Sequence, residues 1–219
     1  MSTAKEYLDF LFQQNPEFFS QPPEPSTLTE EDLHWMEEQL GYSLPAQFRA
    51  FLTCYQLAEI MVYLTFCGEL AASLYYSFSK EKHGYLPSDN TDFVVVDFKW
   101  YPILGTSGSD YLTQFKHDEL CECWLTAGFI HIGDFYMESY YVFYDLLTGK
   151  VYYIHNEEIM ESPVDWDDRD NIRHFMLNHA SILCNEWNDF LHLVCLGEPY
   201  DEDNMLFLEE AIETDDIAN

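Results

Sequence analysis

The chain of 219 residues is 47% hydrophobic and 17% aromatic, enough to bury one substantial core, which excludes a largely disordered protein. Nine Lys and Arg stand against forty Asp and Glu, a net charge of −31 whose field repels nucleic acid and anionic membrane and speeds encounter with a basic protein. No stretch reaches the roughly 18 uncharged apolar residues of a membrane-spanning helix, and Met1-Ser-Thr-Ala-Lys5-Glu6 lacks the apolar core of a signal peptide, so a cytoplasmic location is expected.

Residues 1–20 predict an amphipathic helix with Tyr7, Phe10, Leu11, Phe18 and Phe19 as its apolar contacts. Gln21-Pro-Pro-Glu-Pro25-Ser26 predicts a stiff linker, because its prolines favour extended backbone. Thr29 suits a helix N-cap, and Glu30, Glu31 and Asp32 place negative charge at the positive end of the helix dipole. Leu33, Met36 and Leu40 recur at helical spacing, with Glu37 and Glu38 facing elsewhere, and Gly41 supplies a left-handed stop. Pro45 then opens a second helix carrying Phe48, Phe51, Leu52 and Tyr55, expected to run on toward Phe66.

After a loop over residues 82–90, Asp92-Phe-Val-Val-Val-Asp97 reads as a buried strand and Gly105-Thr-Ser-Gly-Ser-Asp110 as a turn. Residues 140–146 and 151–154 are almost all aromatic or β-branched and are joined through Leu147-Thr148-Gly149-Lys150, which predicts a hairpin. Residues 157–171 predict an acidic loop, and residues 172–195 one or two helices carrying Phe175, Leu183, Trp187, Phe190, Leu191 and Val194. Beyond Arg173 no Lys or Arg follows, and residues 198–219 form an acidic tail.

Two of these stretches belong together. Leu28-Thr-Glu-Glu-Asp-Leu33, with Leu40-Gly41-Tyr-Ser-Leu44-Pro45 and Phe48-Arg49-Ala-Phe51-Leu52, is followed about ninety residues later by Phe129-Ile-His-Ile-Gly133-Asp134 and Tyr140-Tyr-Val-Phe-Tyr-Asp145-Leu-Leu-Thr-Gly149-Lys150-Val151-Tyr152. The combination resembles the SUKH superfamily, which includes bacterial toxin-immunity proteins and fungal cell-wall-synthesis regulators. The resemblance runs from residue 28 to about residue 195. It implies a non-catalytic protein-binding role: an immunity protein that occludes the active site of a cognate polymorphic toxin, or alternatively a regulatory scaffold like the fungal branch.

Catalytic and metal sites find little support in the residues. Cys121-Glu-Cys123, with His117 nearby, lacks the second ligand pair of a structural zinc site, and the six cysteines are expected to be reduced. Asp165-Trp-Asp167-Asp168-Arg169-Asp170 is similar in outline to a calcium loop, yet Arg169 stands where an oxygen ligand belongs and Asp170 replaces the required glycine. His174 and His179 are five residues apart, the wrong spacing for one helical face. Asp134 and Glu138 offer a carboxylate pair, but among forty acidic residues such a pair is expected by chance, and Asp134 and Asp145 are better read as turn formers.

The tyrosine-rich hairpin leaves two alternatives for its second face: an exposed recognition surface or a face covered by a helix.

The expected architecture is α+β, a predominantly antiparallel twisted sheet flanked by N-terminal and C-terminal helices. An N-terminal helix and Pro-rich linker (1–27), a main domain (28–197) and an acidic tail (198–219) divide the chain. No cofactor is expected. The expected partner is a basic, nuclease-type toxin whose phosphate-binding cleft an acidic surface could fill. The residues expected to bind it are Asp165, Trp166, Asp167, Asp168 and Asp170, flanked by Glu157 and Glu158.

Overall fold

The computed structural model describes residues 3–14, 16, 21–57, 59–67, 93–116, 119–135, 140–196 and 198–199. Helix α1 (Ala4–Gln14) leads into a two-residue strand β1 (Glu24–Pro25), then helices α2 (Glu30–Leu40) and α3 (Ala46–Leu52) and a short strand β2 (Tyr55–Gln56) that pairs with β1. Strands β3 (Ile60–Cys67) and β4 (Phe93–Trp100) follow, then helices α4 (Gly108–Phe115) and α5 (Glu119–Thr126). Strands β5 (Phe129–Phe135), β6 (Tyr140–Asp145) and β7 (Val151–His155) lead to helices α6 (Asn156–Met160) and α7 (Arg169–His179). Strand β8 (Ser181–Cys184), helix α8 (Trp187–Cys195) and strand β9 (Glu198–Pro199) complete the described chain.

The main sheet has the order β8-β7-β6-β5-β4-β3-β9, with every pairing antiparallel. This is the α+β architecture expected from the sequence, with one addition: helices cover both faces. Alternation sends Ile130, Val142, Tyr144, Val151 and Tyr153 to a cluster shared with α1, α2, α3, α4 and α8. The intervening Phe129, Phe143, Tyr152 and Ile154 pack instead with Trp124 of α5, Ile159 of α6 and Phe175 of α7. The tyrosine-rich hairpin is therefore covered on its second face. At the centre of the first cluster, Trp187 lies 4.7 Å from Tyr144, 4.9 Å from Phe51 and 5.0 Å from Phe48 between ring centroids, in edge-to-face arrangements that aromatic quadrupoles favour.

The helical elbow forms as its residues dictate. The Thr29 hydroxyl accepts the Asp32 N–H, and the Asp32 carboxylate accepts the Thr29 N–H at 2.9 Å, a reciprocal capping box. Gly41 ends α2 at φ 78°, where its N–H reaches the Glu37 carbonyl. Glu37 does more than face away: its carboxylate accepts the Leu44 N–H at 2.9 Å and pairs with Arg49 at 2.8 Å, bracing the elbow from inside.

Several expectations are corrected. The second helix stops at Leu52, and the run toward Phe66 is strand, with Ile60, Val62 and Leu64 buried on the period-two spacing of β3. A short apolar run fits a buried strand as well as a helix, and Thr53, whose hydroxyl turns back to the Ala50 carbonyl at 3.0 Å, ends the helix. Residues 105–110 are not simply a turn, because Ser107 caps α4 within them. A strand, β8, separates the two C-terminal helices. In α1 the buried contacts are Ala4, Leu8 and Leu11, while Phe10 is 51% exposed; Phe18, Phe19 and residues 82–90 lie outside the described residues.

No helix among the described residues is long and apolar enough to cross a membrane. Burial pushes the thiols of Cys184 and Cys195 up to about 12, far from reactive thiolates.

Candidate partner-binding surface

The segment expected to be an acidic loop is a helix–loop–helix. His155 caps α6 by accepting the Glu157 N–H on Nδ1, which puts Glu157 and Glu158 in the first turn of that helix. Asp168 caps α7: one carboxylate oxygen accepts the N–H groups of Asp170 and Asn171 at 2.9 and 3.2 Å, and the other accepts the Asn171 amide. Asp165 accepts the Asp167 N–H at 3.1 Å and shapes the approach to that cap. The first turn of α7 thus holds the Asp168 carboxylate, and Glu157 and Glu158 lie in the first turn of α6, where the helix dipole favours negative charge.

Glu157, Glu158, Asp165, Asp167, Asp168 and Asp170 are all exposed. Trp166 is half-buried, its ring edge-on to Phe175 at 6.0 Å, so one side of the indole fastens the loop to the second core cluster. Glu158 also pairs with His179 at 3.3 Å, joining the start of α6 to the end of α7. Between residues 157 and 170 the sequence carries seven carboxylates and one base, Arg169. Within this rim Met160 is 80% exposed, an apolar and adaptable contact.

The platform is pinned from beneath by residues that sequence reasoning did not assign to the site. Asp145, fully buried, forms a two-pronged pair with Arg173 of α7 at 3.1 and 2.9 Å. The same carboxylate accepts the Leu147 N–H at 2.9 Å and the Thr148 hydroxyl at 2.7 Å, so it is a turn former as expected and also a helix anchor. Arg173 further donates to the Ala127 carbonyl and lies over the Phe129 ring. Gly149, at φ 75°, closes the turn by donating to the Asp145 carbonyl. The Asp-x-x-Thr-Gly spacing therefore ties the β6–β7 turn to the helix that displays the carboxylates. Arg173 was visible in the sequence only as the last base of a base-poor chain.

Asp134 plays a different part from the turn role expected of it. It is 2% exposed, accepts from the Tyr101 hydroxyl, and contacts His131 Nε2 at 2.7 Å. His131 sits among the rings of Tyr141, Tyr101 and Phe143 at 4.8, 5.0 and 5.1 Å. Glu138, proposed as a carboxylate partner, and His117 lie outside the described residues. Cys121 and Cys123 stand on α5, and among the described residues no three acidic, His or Cys side chains group to hold a metal.

The model of the SMI1 / KNR4 family (SUKH-1) matches residues 27–193, a span that contains both the helical elbow and the Asp145 turn. No curated protein matches the chain.

Proposed function

The chain belongs to the SMI1/KNR4 family (SUKH-1), a family of immunity and regulatory proteins, and from that premise we propose that it is a non-catalytic immunity protein that neutralises a basic, nuclease-type toxin by covering its active site. The observation that carries this reading is the row of exposed carboxylates on α6, the 161–168 segment and α7, displayed by two capped helices of which the second is anchored by the Asp145–Arg173 pair. Carboxylates fixed in this way could occupy positions where a nuclease binds phosphates, while Met160 and the open side of Trp166 supply apolar contact. A cytoplasmic location belongs to the same reading.

The test is capture from native lysate with the wild-type chain and with the Asp165→Lys, Asp167→Lys, Asp170→Lys variant, followed by assay of the captured protein with and without the chain. The expected result is one basic protein, retained by wild type, lost by the variant, and inhibited on binding. Equal retention by both would move the site elsewhere; several unrelated partners would favour the regulatory role.

A further inference from the structure

Seven Lys and Arg are among the described residues of a chain whose net charge is −31. Five of them sit on carboxylates: Lys5 on Asp9, Arg49 on Glu30 and Glu37, Lys99 on Glu59, Lys116 on Glu122, and Arg173 on Asp145. Arg169 and Lys150 form no ion pair among the described residues. They stand on either side of the Asp145–Arg173 pair. Arg169 lies one helical turn ahead of Arg173 on α7, and Lys150 lies across the β6–β7 turn from Asp145, its carbonyl accepting the Asp145 N–H at 2.8 Å.

The acids closest in the chain are already engaged. Two bonds from Arg173, one from the Leu147 N–H and one from the Thr148 hydroxyl fill the Asp145 carboxylate, which has room for about four. Asp168 is spent on the cap of α7, and Asp165 on the Asp167 N–H. Three and four residues further along its own helix, Arg169 meets Ile172 and Arg173, the second of like charge. Exposed Arg169 also opens α7 at the positive end of the helix dipole, where a cation weakens the helix and an acid would strengthen it. The Tyr42 hydroxyl, within electrostatic reach of Arg169, gives its proton to the Leu125 carbonyl and offers no charge in return. A residue that breaks the local rules without a compensating contact in the fold points to a contact outside it.

We propose that Arg169 and Lys150 are the contacts through which this surface takes up carboxylates of its partner. The inference rests on the reading of α6 and α7 as a partner-binding surface and adds to it the partner's chemistry. A nuclease cleft sets acids that hold a metal ion or accept a proton among bases that hold phosphate. Seven carboxylates around Arg169, between residues 157 and 170, present the reverse of that pattern.

The probe is the basic protein that the full chain captures from native lysate, produced as wild type and with each of its Asp and Glu residues changed in turn to Asn or Gln. Dissociation constants at low salt are measured for the wild-type chain, Arg169→Ala, Arg169→Lys and Lys150→Ala. Binding should weaken at least about tenfold in Arg169→Ala and about threefold in Lys150→Ala, and Arg169→Lys should recover part of the loss. The urea midpoint of Arg169→Ala should not fall. One amide variant of the partner should bind the wild-type chain and Arg169→Ala equally well, the mark of a direct contact. Unchanged affinity in either alanine variant, or a loss that no amide variant of the partner removes, overturns the proposal. The Asp165→Lys, Asp167→Lys, Asp170→Lys variant separates the two claims. If it loses the partner while the alanine variants do not, the acidic surface stands without these contacts; if it binds as wild type while Arg169→Ala does not, the partner sits on the bases and the acidic reading falls. Capture of no basic protein overturns both.

Discussion

Arg173 and Asp145 do at the scale of single residues what the packing of α7 alone would leave loose. Asp145 is fully buried and Arg173 mostly so, and removing one partner strands the other charge away from water. Arg173→Ala is expected to lower unfolding free energy by about 3 kcal/mol, measured by urea denaturation. Arg173→Lys keeps the charge but loses the two-pronged geometry and should recover only part of that loss. Thr29→Ala, which breaks the capping box, is expected to cost about 1 kcal/mol by the same measurement.

At the scale of elements, α1 separates apolarity from burial. Phe10 looks like the stronger core residue in the sequence, but the helix turns Leu8 and Leu11 inward against the α8 layer. Leu8→Ala should therefore destabilise by about 3 kcal/mol, while Phe10→Ala should change stability by less than about 0.5 kcal/mol. Thermal or urea unfolding of the two variants checks the contrast. The elbow from Thr29 to Pro45 and the β6–β7 hairpin were legible because each carries local punctuation: a cap, a left-handed glycine, a proline, a turn. Strand β3 was not, since its apolar run fits two periods and its partner β4 begins some twenty-five residues beyond its end. The carboxylates of the candidate surface could be read directly, but the Asp145–Arg173 anchor could not. Those two residues are 28 apart and meet only after the sheet and α7 have formed.

At the scale of the whole molecule, the charge of −31 acts on folding and on association in opposite ways. Self-repulsion weakens the compact state, whereas attraction steers a basic partner, and salt screens both. Raising salt at neutral pH should raise the melting temperature and slow partner association together. Acid acts through specific groups. The Thr29 hydroxyl and N–H, with the Gly108 N–H, hold Asp32 below its ordinary 3.8, and the Thr106 backbone and hydroxyl do the same for Asp110. Depressed carboxylates contribute stability above their unfolded value and lose it as pH falls through the folded one. The urea midpoint should thus stay nearly level from about pH 7 to about pH 5 and fall below about pH 4. A midpoint that rises on acidification would mean that relief of self-repulsion wins.

The association rate of the captured partner across ionic strength, for wild type and for the Asp165→Lys, Asp167→Lys, Asp170→Lys variant, tests the central claim most directly. Toxin neutralisation through the acidic platform requires a rate that is high at low salt, falls steeply with added salt, and drops in the variant by at least about tenfold at low salt. Indistinguishable rates and salt slopes for the two proteins would contradict it.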